Sequence, residues 1–233
     1  MKTIHTVRFM TLGAAAVAIA ATMAITARTA RTATTKGDVS LLLPTGAVPA
    51  GAIRYTVAAT GNAARYRVRE QLMGKELPND AIGETAEITG MITVDSTTGS
   101  LIAGQSKFVV NTGLFKSDSD RRDGYVRGRL LEATKFPTVE FVPTGVRGLT
   151  AAAAMSSGPK TFELTGDLTV KGVTKPTTWK VTAQQAPGRA TGSASTKFTF
   201  SDFTITPPKV PVLLSVADTI ALEYDFTLVR EKP

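Results

Sequence analysis

The chain of 233 residues contains no cysteine. That excludes a disulfide framework, a thiolate metal site and a thiol nucleophile. Its single histidine is His5. Beyond it the chain has neither the commonest general base nor the commonest metal ligand, and no Ser-His or Cys-His nucleophile system can be assembled. Acids are missing from residues 1–36, which carry Lys2, Arg8, Arg28, Arg31 and Lys36. The remainder has 22 bases against 19 acids, so most of the formal net charge of +8 belongs to the start of the chain. The rest is mildly basic, and a nucleic-acid partner is not predicted. Carboxylate chemistry stays open. Glu70, Glu84 and Glu87 are the cluster to weigh, and without histidine they read as solvated charge.

What is present begins with an export segment. Lys2 and Arg8 precede an uncharged run from Phe9 to Ala27, the charged and apolar regions of a signal sequence. Residues 1–27 are therefore expected to be either a cleaved signal peptide or a retained N-terminal membrane anchor. Either places the domain outside the cytoplasm, periplasmic or extracellular, with the anchor as the route to membrane association. Residues 28–50, rich in Thr, Ala, Gly and Pro, read as a linker. The domain proper is expected over 51–231.

Within it, apolar residues alternate with polar ones at the period of a half-buried strand. Ile53, Tyr55 and Val57 share a face. Ala64, Tyr66 and Val68 oppose Arg65, Arg67 and Arg69. The clearest run is Ile220, Leu222, Tyr224, Phe226 and Leu228. Similar alternation marks 88–94, 138–141, 162–170 and 178–183. Phe198 and Phe200 change parity to Phe203 and Ile205, which predicts a bulge or corner between them. Gly172 and Pro176 punctuate a hairpin, and 150–159 reads as a surface loop. Many antiparallel strands in one domain predict an all-β sandwich or barrel.

One stretch breaks the pattern: SDSDRRDGYVRGRLLEATKFPTVEF, residues 117–141. Asp118, Ser119 and Asp120 are N-cap candidates, and Asp123 suits a first turn. GYVRGRLLEA predicts a short helix showing Val126, Leu130 and Leu131, ended by Phe136-Pro137. Arg122 and Asp123 either clamp a polar head group or act as acid and base, or they form a cap and a salt bridge that pin the crossover to the barrel. Arg121, Arg127 and Arg129 form either a phosphate-attracting patch or a solvated face.

That stretch, with GDLTVKGVTKPTTWKV at 166–181, resembles the YceI-like family of exported lipid-binding β-barrels. The likeness rests on Arg122-Asp123, Leu130-Leu131, Phe136-Pro137 and the Gly166–Pro176 hairpin, and extends over about residues 52–229. It implies an antiparallel, lipocalin-like barrel of about eight strands with a short helical crossover. A polyisoprenoid or other long-chain lipid would lie inside, with no catalytic residue, no metal and no cofactor beyond that lipid. Phe108, Phe141, Phe162, Leu168, Trp179, Phe200 and Phe226 would line the tunnel, although the same rings could equally fill a dry core. Arg122, Arg127 and Tyr125 are the head-group candidates. The family is often dimeric, so a homodimer is also implied. Two other readings stay open, a secreted stress-response or structural domain acting through a protein partner, and an enzyme or isoprenoid-quinone protein.

Overall fold

The computed structural model describes residues 43–150 and 158–232. The expected export segment, most of the 28–50 linker and residues 151–157 of the loop lie outside the described residues. Ten strands follow in order: β1 (Ala52–Val57), β2 (Ala63–Leu72), β3 (Asn79–Thr85), β4 (Ile88–Asp95), β5 (Lys107–Asn111), β6 (Thr138–Arg147), β7 (Lys160–Val170), β8 (Val173–Ala186), β9 (Arg189–Thr199) and β10 (Leu213–Arg230). They form one sheet in the order β1-β4-β5-β6-β7-β8-β9-β10-β2-β3, and β1 also pairs with β10.

The registers show why ten strands make an eight-walled barrel. β1 and β2 are two halves of one bent strand, and β3 and β4 halves of another. Thr56 faces Met91 and Ala64 faces Thr85 across the same ladder. The 18-residue β10 runs beside β2 from Leu213 to Asp225, then beside β1 from Leu228 to Arg230. Closure on β10 leaves the sheet no free edge along its main ring, which removes the hazard of an exposed ladder. Eight tilted strands set a bore wide enough to be filled by side chains or to hold one slim ligand.

The bend in the first long strand is held by Asn62, which is buried. Its amide donates to the carbonyls of Ala58 (2.9 Å) and Thr60 (3.2 Å). Its Oδ1 accepts from the Thr227 N–H and the Tyr224 hydroxyl, both at 3.0 Å. One side chain thus supplies the partners that the interrupted ladder lacks.

The upper end of the barrel carries the β2–β3 turn, the β5–β6 crossover, the β7–β8 turn and the β9–β10 link. The lower end carries the start of β1, the β4–β5 loop, the β8–β9 turn and the end of β10. In the crossover, helix α1 (Asp120–Tyr125) starts at the predicted cap: Ser119 Oγ accepts from Arg122 N at 3.3 Å. It widens into a π-helical turn over Val126–Leu130. No helix among the described residues is long and apolar enough to cross a membrane.

One local expectation is met and another needs correction. The parity change after Phe200 is a corner, made by a 3₁₀ turn over Phe200–Phe203. Asp202 Oδ2 accepts from Thr199 N at 2.7 Å, and Thr204 takes a left-handed φ of 55° to leave the turn. Pro176 does not mark the exit of a turn. It lies inside β8 opposite Asp167, before the β9 pairing begins at Lys180, where its missing N–H costs no second ladder bond. The β7–β8 turn itself is Lys171-Gly172, both with positive φ.

Candidate ligand-binding site

The inward faces enclose a cavity of about 1020 Å³. That is at the upper end of the ~300–1,000 Å³ usual for ligand pockets. It runs the length of the barrel, from Tyr55, Lys160 and Gln185 below to Tyr125, Arg129 and Pro211 above. All seven apolar residues expected in the tunnel line it: Phe108, Phe141, Phe162, Leu168, Trp179, Phe200 and Phe226. Phe203 does not; it is fully buried behind Phe198, with ring centroids 4.7 Å apart.

The rings leave the bore open because glycines take them into the wall. Tyr66 lies where a Cβ on Gly83 would stand, one strand away. A Cβ on Gly90 would meet Phe108 at 2.5 Å, one on Gly166 would meet Phe141 at 2.7 Å, and one on Gly192 would meet Phe226 at 2.8 Å. Four aromatic side chains thus fold flat over cross-strand gaps instead of projecting to the axis. Glycine inside a strand is a known sign of close approach, so these four positions carried a signal that alternation alone does not show.

Polar groups in the lining are few and mostly engaged. Below, Gln185 Nε2 donates to the Tyr55 hydroxyl at 2.8 Å. In the middle, burial pushes the Tyr224 phenol up, and its hydroxyl is held by Asn62. Above, burial pushes Tyr66 up to about 12, so it is a neutral phenol at any working pH, and its hydroxyl has no hydrogen-bond partner.

At the upper mouth Arg122 Nη2 lies 2.7 Å from Glu70 Oε1, with the two side chains 17% and 10% exposed. Asp118 pairs with the same guanidinium, and Asn79 donates to Glu70 at 3.3 Å. Glu70 is therefore buried and ion-paired, not solvated; 52 residues of separation from Arg122 hid this from a linear reading. Glu84 is paired with Arg65 on the outer face. There Arg67 and Arg69 also meet Asp80, and Arg67 meets Glu223.

Arg122 and Asp123 do not pair with each other. Burial pulls the Asp123 carboxyl up, but the Ser117 hydroxyl and N–H, at 2.7 and 2.8 Å, and the Lys116 and Arg127 charges hold it below the ordinary carboxylate range. Both residues fasten the crossover, Arg122 to β2 and Asp123 to the segment leading into α1. Of the head-group candidates, Arg122 and Tyr125 line the cavity. Arg127 stands outside the lining, its Nη1 donating to the Phe115 carbonyl at 3.1 Å. Among the described residues no group of three His, Cys, Asp or Glu is placed to hold a metal.

A closed antiparallel ring around a long apolar cavity, capped by a short helical crossover, defines a lipocalin-like barrel. The family is more specific than the fold: the YceI-like domain pattern matches residues 55–228, and the chain belongs to that family. A relative from Shewanella denitrificans, named only as a UPF0312 protein, is 30% identical over 191 residues, covering 79% of this chain and 92% of its own. Among solved structures, a polyisoprenoid binding domain from Saccharophagus degradans implicated in plant cell wall breakdown aligns with a TM-score of 0.59 at 12% identity. It covers 76% of this chain and 98% of its own. A Campylobacter jejuni YceI protein aligns at 0.53 and 16%, covering 70% and 91%. At such identities the two structures establish the shared fold.

Proposed function

We propose that this protein is an exported carrier or store for a long hydrophobic chain, a polyisoprenoid or similar lipid, held in the barrel bore. The observation that carries the reading is an open cavity of about 1020 Å³ whose aromatic walls are recessed over glycines. Each CH₂ moved from water to such a wall gains ~0.8 kcal/mol, so ten gain about 8, less the cost of ordering the chain. No catalytic group is needed for that affinity. The polyisoprenoid-binding neighbour supports the ligand class. The apolar run Phe9–Ala27 supports export. A domain acting only through a protein partner leaves the open cavity without an explanation. Enzyme chemistry finds little purchase on a lining whose Glu70 is tied to Arg122 and whose buried tyrosines are held neutral.

Organic extraction of the purified full chain, followed by mass spectrometry, should release close to one long-chain lipid per protein. Adding a polyprenol to delipidated protein at a hundred times its Kd should stabilise the fold by about 2.7 kcal/mol. No extractable lipid, together with an unmoved melting temperature, would overturn the reading.

A further inference from the structure

Six large apolar side chains are exposed among the described residues, and four of them gather at one place. Met73 (63% exposed) and Leu77 (76%) sit in the β2–β3 turn. Val212 (48%) and Leu214 (60%) sit where β10 begins. The two segments are stitched together: Met73 N donates to Val212 O at 2.8 Å, and Leu72 faces Leu213 in the ladder. Leu72, Leu213 and Pro211, their immediate neighbours, line the cavity. The apolar exterior and the apolar interior therefore meet at the upper rim, next to the crossover. A contiguous exposed apolar patch of this kind marks an interaction surface.

Charge at the same end selects the partner. Lys75, Arg121, Arg129 and Lys209 are exposed, with no ion pair among the described residues. The acids there are engaged: Asp118 with Arg122, Asp120 with Lys116, Glu132 with Lys171, and Asp202 and Asp218 with backbone N–H groups of the 3₁₀ turn. Among the described residues Glu76 stands without such a partner. Apolar residues ringed by free bases suit the interface of an anionic bilayer, where the hydrocarbon boundary takes the first and lipid phosphates the second. Among the described residues the lower end lacks this pairing. Of the six exposed side chains only Val229 belongs to it.

We propose that the upper rim is a docking surface for an anionic lipid bilayer, seated so that the bore opens onto the acyl layer. For its cargo the proposal rests on the carrier reading; the docking itself does not. The absence of cysteine makes a local test clean. In the full chain, Leu77→Cys and Arg189→Cys, the latter at the start of β9 beside the lower β8–β9 turn, are each labelled with an environment-sensitive NBD fluorophore. They are then mixed with vesicles of three parts phosphatidylcholine to one of phosphatidylglycerol. The expected result is a blue shift and quenching by doxyl-lipid at position 77 and neither at 189. A local probe ignores tethering by the Phe9–Ala27 run, which would hold the protein near the vesicle without burying the rim. Emission at 77 that stays water-like, or matches that at 189, overturns the proposal. So does a blue shift before vesicles are added: dependent on protein concentration, it means a second copy covers the rim, and independent of it, another segment of the chain. A Leu77→Asp, Leu214→Asp double variant should slow lipid transfer between vesicles by at least about tenfold, since burial of two leucines is forfeited. Its lipid content should be unchanged. Loaded protein whose rim never enters vesicles ends the docking proposal and spares the carrier reading. A rim that inserts in protein holding no lipid does the reverse.

Discussion

The two ends of the barrel are built on opposite principles. The lower end is locked by polar contacts. Arg54, 6% exposed, donates from Nε to Thr93 Oγ1 at 3.1 Å and from Nη2 to Gln105 Oε1 at 2.6 Å. Thr93 in turn donates to Gln105 O at 2.8 Å, and its N–H reaches Ser106 Oγ at 3.0 Å. One guanidinium thus ties β1, β4 and the β4–β5 loop together, with Glu231 of the chain end 3.7 Å away. The upper end has its own ion pair, Glu70–Arg122, but around it are exposed leucines, a proline-rich link and a helix widened by a π turn. Hydrogen-bonded networks fix geometry; exposed apolar lips with few buried contacts leave it adjustable. On the carrier reading, the difference gives stability to one end and access to the other.

That division breaks most visibly at Arg54. Arg54→Ala should cost about 3 kcal/mol, because it strands the buried Thr93 acceptor and the half-buried Gln105 one as well as removing the charge. Urea unfolding would measure it. Lipid content per folded molecule should not change. A variant that stays stable, or that folds normally but sheds its lipid, would show that the lower end is not the lock.

Why one end was easier to foresee than the other follows from sequence separation. The barrel walls were legible because alternation is local: Ile220, Leu222, Tyr224, Phe226 and Leu228 state their common face within nine residues, and every one lines the cavity. The Ser119 cap was legible for the same reason, its acceptor and donor being three residues apart. Arg54 reaches partners 39 and 51 residues away, and Asn62 reaches partners 162 and 165 away. Nothing near either residue announces those contacts. The open bore was undecided in the sequence since an aromatic ring fits a packed core and a tunnel wall alike. The deciding residues were the glycines opposite: their place inside strands was a signal, but which ring each one receives emerged only with the strand register.

At the upper end the next test is pH. The folded Asp123 carboxyl titrates below its ordinary value, so its contribution is fully present above the unfolded carboxylate pKa of about 3.9 and fades as pH falls through the lower folded value. Asp123→Asn keeps an acceptor for Ser117 but loses the charge, and near neutral pH it should be less stable by about 1.5 kcal/mol. The gap between the two proteins should close below about pH 4. Thermal melts across that range would check it. A gap that held constant into acid would mean the Asp123 charge does not fasten the crossover.

The smallest expected effect on stability is also the most direct probe of the space between the ends. At Gly192 an added methyl would strike the Thr182 carbonyl, and at Gly166 the Val142 carbonyl, so alanine there would damage the ladder itself. At Gly83 the atoms in the way all belong to the Tyr66 side chain. Gly83→Ala therefore displaces the ring and spares the backbone, at a cost of about 1 kcal/mol. The displaced phenol turns toward the axis, and its hydroxyl, already without a partner, brings polarity into an apolar bore. Extraction and mass spectrometry should find less lipid, or a shorter chain, in a protein that melts almost normally. Full occupancy by the same lipid would mean that the recess under Tyr66 is packing, and that the space open to the guest is set elsewhere along the wall.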